Sequence, residues 1–276
     1  MSENKKDINI MKKLGTGNGG KMIWKASYIT DIGTHRNVNQ DSLMIRIAET
    51  KRGQMAMTAV ADGMGGLQEG ELASKQVILH LARWFENVFP RRIKQNPNGE
   101  FIEQEVYRVL QKEEMRLLAY EEETRMLGTT LTAIILIEDN YYMIHVGDSR
   151  CYLISKNVVE QLSTDHTFLA QEVREGRMTQ EESCKDRRKN VLTECIGVRE
   201  GFHYQYREGR IHPDDVLMLC SDGFWHELEK EDLKSVLSED SAQNETSNQL
   251  EKLVIQVKDR GEKDNITAVL LHAEKE

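Results

Sequence analysis

No stretch of the sequence approaches the roughly 18 consecutive apolar residues that a membrane-spanning helix needs. The lysines of the opening segment, MSENKKDINIMKKLG, are followed by no apolar stretch and no small-residue cleavage site, so it does not read as a secretory signal. A membrane protein is not expected, and the cytoplasm is the expected location. Four cysteines (Cys151, Cys184, Cys195, Cys220) are scattered without a CxxC pair, which indicates neither a zinc site nor a disulfide frame. Positive charge is also short. With 37 basic against 46 acidic side chains the formal charge is −9, which argues against general affinity for nucleic-acid phosphates or anionic lipid. What remains is ordinary soluble-globular composition, 39% hydrophobic and 30% charged over 276 residues, long enough for a proper core in one large or two small domains.

Residues 1–22 are polar and end in Gly15-Thr16-Gly17-Asn18-Gly19-Gly20. A phosphate-cradling loop needs a strand before it and a helix after it, and neither is present, so a flexible tail is the expectation. Three strand-like segments follow, Ile23 to Thr30, Leu43 to Ala48 and Met55 to Ala61. Gly70 to Phe89 has apolar residues at close to helical spacing and is expected to end at Pro90; Phe101 to Glu122 reads likewise. Thr129–Ile137, Tyr141–Val146, Cys151–Ile154 and Val158–Leu162 read as an antiparallel meander, because their connections are too short for helical crossovers. Residues 165–190 turn polar and helical, which suggests a solvated flap. Strands at Phe202–Tyr206, Val216–Cys220 and Ile266–His272, with helices near Glu229–Leu237 and Ser247–Arg260, complete one domain over 23–276. Runs of strands interrupted by pairs of helices predict an α+β fold, an antiparallel β-sandwich flanked by helices in four α-β-β-α layers.

Several aspartates fall where an apolar run meets a glycine turn: Asp62 in Val60-Ala61-Asp62-Gly63, Asp148 in His145-Val146-Gly147-Asp148, and Asp222 in Cys220-Ser221-Asp222-Gly223. Asp264 and Asp41 stand just ahead of other strands. Any single Asp-Gly is most simply a β-turn. Five such placements together predict carboxylates converging at one sheet end. An oxygen-only cluster suits Mg²⁺ or Mn²⁺ rather than Zn²⁺, and without a cation its members would repel strongly. Gly63 leaves a backbone carbonyl free to approach such an ion.

These residues carry a family pattern. The chain resembles the metal-dependent serine/threonine protein phosphatases (PPM, type 2C), in their bacterial single-domain form, through seven motifs in order. They are Arg36-Asn37-Val38-Asn39-Gln40-Asp41, Val60-Ala61-Asp62-Gly63-Met64-Gly65-Gly66, Gly128-Thr129-Thr130-Leu131-Thr132, Val146-Gly147-Asp148-Ser149-Arg150, Leu162-Ser163-Thr164-Asp165-His166, Cys220-Ser221-Asp222-Gly223-Phe224-Trp225 and Asp264-Asn265-Ile266-Thr267. The resemblance implies two Mn²⁺ or Mg²⁺ ions, with Asp62 bridging them, the Gly63 carbonyl on one, and Asp222 and Asp264 on the other. It places Asp41 behind them, a third ion between Asp148 and Asp222, and Arg36 on the substrate phosphate as a bidentate fork. It implies hydrolysis of phosphoserine and phosphothreonine in proteins by a metal-bridging hydroxide, without a phosphoenzyme. A cytoplasmic monomer opposing a serine/threonine kinase is expected. Three positions depart from the common pattern: Leu67, Met64 and Gln40, which stands where glutamate is commoner. They leave no obvious general acid near Asp62 and motivate an alternative, a phosphoprotein-binding module that has lost rate; a phosphatase for small phosphoesters, differing only in the flap, is a third reading. His145 and His166 lack paired spacing and read as structural, and Trp24, Trp84 and Trp225 read as core or helix-packing residues.

Overall fold

In a computed structural model of the chain, the described residues are 22–50, 53–65, 69–94, 98–120, 127–156, 158–188, 190–235 and 245–275. The expected N-terminal tail lies outside them except for Met22, as do Leu67 and Gln68. Among the described residues, eleven strands build two antiparallel sheets. One has the order β1 (Met22–Asp31), β11 (Ile266–Lys275), β10 (Val216–Cys220), β7 (Arg150–Ser155), β8 (Val158–Gln161). The other runs β2 (Asp41–Thr50), β3 (Gly53–Met64), β5 (Leu131–Ile137), β6 (Asn140–Val146), β9 (Gln205–Arg210), with the two-residue β4 (Gly128–Thr129) pairing the end of β3. Helices α1 (Glu69–Asn87), α2 (Phe89–Arg92) and α3 (Gly99–Ala119) cover the second sheet, and α6 (Asp222–Trp225), α7 (Lys230–Lys234) and α8 (Glu245–Asp259) cover the first. The remaining α4 (Phe168–Arg174) and α5 (Gln180–Lys185) lie within 165–190.

Strand alternation produces the expected four layers. On β3, Met55, Met57, Ala59 and Ala61 face α1 and α3, while Ala56 and Val60 face the opposite sheet. On β11, Ile266, Ala268 and Leu270 meet α8, and Val269, Leu271 and Ala273 enter the space between the sheets. Both faces are covered, so these strands read as continuous apolar runs. α8 closes its side with Leu250, Leu253, Val254 and Val257, one helical stripe. Cys151 and Cys220 are buried, and Trp24 and Trp84 belong to the core; all four cysteines are free thiols.

Two sequence expectations are corrected. The meander is split, because β5 pairs β6 and β7 pairs β8, but β6 and β7 belong to different sheets. The turn at 147–149 therefore crosses between sheets, with Gly147 at φ +107°, a conformation that disfavours a side chain. Pro90 does not end a helix; it sits in the first turn of α2, where its missing N–H costs no hydrogen bond.

Candidate active site

The β2–β3 ladder places Asp41 directly opposite Asp62 as its last register pair. Backbone contacts then fix the strand end. Asp62 N donates to Thr130 Oγ1 (3.0 Å), its carbonyl accepts from Thr130 N (2.9 Å) and Thr129 Oγ1 (2.9 Å), and Gly63 N donates to Gln40 O (3.1 Å). A Cβ on Gly63 would collide with the Gly70 carbonyl at the start of α1, and one on Gly70 would press on the Gly63 carbonyl, so only glycine fits this approach. Gln40 is held by its backbone, which donates to Asn265 Oδ1 (2.8 Å) and accepts from Ser74 Oγ (2.6 Å).

The other sheet supplies the opposite wall. Ser221 Oγ, at the end of β10, donates to Asp41 Oδ2 (2.8 Å) and accepts from Thr267 N (3.0 Å). Asp222 opens α6, a four-residue helix where the sequence predicts a glycine turn. Gly223 packs so closely on the Asn265 carbonyl that a side chain there would clash, which brings Asp264 alongside. The fifth carboxylate, Asp148, rides on the turn between the sheets, where Trp225 Nε1 donates to its carbonyl (3.0 Å).

Burial and mutual repulsion mark these groups. Burial is the first cause for Asp41, Asp62, Asp148 and Asp222. It pushes Asp41 up to about 7 against hydrogen bonds from Thr267 and Ser221, and pushes Asp148 up to about 8 with help from the Asp222 and Asp165 charges. Asp62 lies well above the usual carboxylate range, through burial and then the charges of Asp41, Asp222, Asp148 and Asp264. Asp222 is raised as well. Asp41 Oδ1 and Asp222 Oδ1 are buried without any hydrogen-bond partner.

Arg36 occupies a place that its expected role did not anticipate. Its Nε donates to Asp264 Oδ1 (2.8 Å) and its Nη2 to Asp264 Oδ2 (2.6 Å), a two-pronged ion pair on a carboxylate read as a metal ligand. His226 is a site residue that the sequence reading missed. Four positions after Asp222, and thus one helical turn away, its Nδ1 lies 3.9 Å from Asp222 Oδ2 and 3.7 Å from Glu262 Oε2. Burial lowers the imidazole's affinity for a proton, but Glu262, Asp222 and Asp148 outweigh it and raise the pKa. His145 is buried between Thr132 Oγ1 (2.9 Å) and the Thr164 carbonyl (3.1 Å), and burial pushes it down to about 3, in keeping with a structural role.

Among the described residues, no three His, Cys, Asp or Glu side chains close on one point tightly enough to hold an ion as they stand. The donor set nevertheless fits Mn²⁺ or Mg²⁺. It is all oxygen, Asp41, Asp148 and Asp222 in it are buried, and it leaves two carboxylate oxygens unpartnered where a cation would satisfy them.

Comparison with other proteins decides the family. The family model described as "Protein phosphatase 2C" matches residues 34–257. This chain belongs to the protein phosphatase 2C family. The serine/threonine phosphatase Stp of Listeria monocytogenes is 28% identical over 250 residues, covering 89% of this chain and 94% of that protein. The S. agalactiae serine/threonine phosphatase superposes with a TM-score of 0.79 at 27% identity, over 91% of this chain and 99% of that one. The catalytic domain of the serine threonine protein phosphatase PstP in complex with two manganese ions superposes with a TM-score of 0.72 at 26% identity, over 92% and 99%. The bacterial PPM relatives thus share the two-sheet α+β architecture of this protein phosphatase.

Proposed function

We propose that this protein phosphatase hydrolyses phosphoserine and phosphothreonine in proteins and depends on Mn²⁺ or Mg²⁺. The observation that carries the reading is the set of aspartates Asp41, Asp62, Asp148 and Asp222, Asp62 half-buried and the other three buried, gathered at one end of the sandwich with oxygens left unpartnered. Asp62, the Gly63 carbonyl, Asp222 and Asp264 would hold two ions, Asp148 with Asp222 would hold a third, and Asp41 stands behind them. Bound there, the ions would activate water and polarise the phosphoryl group for direct hydrolysis.

The protein's own groups do the rest. Ser221 and Thr267 orient Asp41, the Asp62 backbone is clamped by Thr129 and Thr130, and Arg36 offers a planar fork that suits phosphate as well as carboxylate. Met64 is packed against Gly128, and the Gln40 amide lies against Gly70, so both departures sit in contacts that shape the strand end. The acidic set itself is complete, which supports hydrolysis over a binding-only module. Residues 165–190 serve as a flap beside the site, and the substrates are proteins phosphorylated by a serine/threonine kinase in the same compartment.

Phosphate release from a phosphothreonine peptide is the test. Release with Mn²⁺, lost with chelator and lost in Asp222→Asn, is the expected result. No release by protein that still binds Mn²⁺ would overturn the reading.

A further inference from the structure

We propose that Trp225 and Arg150 are positioning residues for Asp148, and that they keep its carboxylate facing Asp222. The proposal rests on the functional reading above. Asp148 differs from Asp41 and Asp62, which the β2–β3 ladder holds, and from Asp222, which opens α6, because neither a ladder nor a helix holds it. It sits in the turn between the two sheets, next to a glycine in the left-handed region, and it repels Asp222. A carboxylate on such a turn swings away from a like charge unless something holds its peptide.

The structure supplies the restraint in a chain of contacts. The indole N–H of Trp225 reaches the Asp148 carbonyl (3.0 Å), and Trp225 lies three residues after Asp222 on the same short helix. One helical turn therefore carries both the charge that pushes Asp148 away and the donor that holds it back. The Arg150 guanidinium lies 3.2 Å from the centre of the Trp225 ring. Arg150 is fixed in turn, with Nε donating to Asp165 Oδ1 (2.9 Å) and Oδ2 (3.2 Å), Nη2 to Asp165 Oδ2 (2.6 Å) and Nη1 to the Tyr152 hydroxyl (3.0 Å). His166, which follows Asp165, ties the other side of the turn. Its N donates to the Gly147 carbonyl (2.7 Å) and its Nδ1 accepts from Gly147 N (3.2 Å). A planar cation that stacks on a ring and forks onto a carboxylate has no lysine equivalent. An indole serving only as packing has no need to aim its N–H at the peptide of a site carboxylate.

Trp225→Phe keeps the ring under Arg150 and removes the N–H. With intact protein and a phosphothreonine peptide, the Mn²⁺ concentration for half-maximal activity is expected to rise about tenfold, the size usual for losing a residue that orients a metal ligand. The peptide KM should stay unchanged, and excess Mn²⁺ should restore kcat. Calorimetric titration with Mn²⁺ alone should show the weakest binding step weakened by a similar factor, while the melting temperature in chelator stays that of the wild type. Arg150→Lys reads the same link one step further out and should move both quantities about threefold in the same direction, which covers a Trp225→Phe protein that fails to fold. Variants with wild-type Mn²⁺ dependence overturn the proposal, as do variants that lose kcat and melting temperature without rescue by Mn²⁺. Wild-type protein that neither binds nor uses Mn²⁺ overturns the functional reading itself, and this proposal with it.

Discussion

The segment 165–188 and the end of the sandwich are both rich in charge, and they treat it in opposite ways. In the segment several charges have a nearby partner at the surface: Arg177 on Glu172, Lys185 on Glu181 (2.7 Å), Arg188 on Asp186 (2.7 Å). Asp186 is held down to about 2 by its hydrogen bond from Arg188. At the sandwich end, aspartates of one sign are buried together and forced upward. Exposed pairs of the first kind contribute little to stability, and their identities can drift. The buried set is costly to the fold by itself, so its retention has to be explained by what it binds.

The largest expected effect comes from neutralising one member of the buried set. Asp222→Asn should remove more than a hundredfold of Mn²⁺-dependent phosphate release, since a ligand to the reacting centre is lost. The same change should raise the melting temperature in chelator, because it relieves repulsion. A variant less stable than the wild type in chelator would break the comparison. Adding cation should do for the whole set what the substitution does for one member. At Mn²⁺ about 100-fold above its Kd the native state gains about 2.7 kcal/mol, read as a rise of several degrees in Tm. An exposed-pair variant such as Arg177→Gln should show the same Mn²⁺ shift as the wild type. Arg36→Lys keeps the charge and loses the fork, so kcat/KM should fall about tenfold, about 1.4 kcal/mol, measured at saturating Mn²⁺.

The smallest effect belongs to a surface ion pair. Asp232 accepts from Arg260 Nη1 (2.7 Å), and that hydrogen bond leads the causes that hold it down to about 2. A depressed carboxylate stabilises above its unfolded value near 4 and loses that contribution as pH falls through 2. Asp232→Asn should therefore cost under about 1 kcal/mol at pH 7, with the gap to wild type narrowing below pH 4 in urea midpoints.

Much of this was legible in the sequence because it is local. Asp62-Gly63 and Asp222-Gly223 announce strand ends whatever the rest of the chain does, and buried alternation on β3 and β11 betrays layers covered on both sides. The rest depends on pairing at a distance. Nothing in Gly147-Asp148-Ser149 says whether the turn closes a hairpin or changes sheet; that follows from β10 taking the place beside β7. The Arg36 to Asp264 pair spans 228 positions, and no spacing rule reaches that far. His226 was within reach through its i+4 relation to Asp222, but only once α6 is seen to be helical. Trp225 read correctly as a packing residue, while its indole N–H is visible only in three dimensions.

The β2–β3 register sets how the chain tolerates changes in length. Ten residue pairs run from Asp41 opposite Asp62 to Thr50 opposite Gly53, which puts the hairpin tip about 30 Å from the carboxylates. Residues added or lost at the tip leave the near end in register. A single deletion inside either strand swaps the faces of everything on its far side, because side chains alternate one by one. Length variants along this hairpin should therefore divide into silent ones at the tip and inactive ones within the ladder.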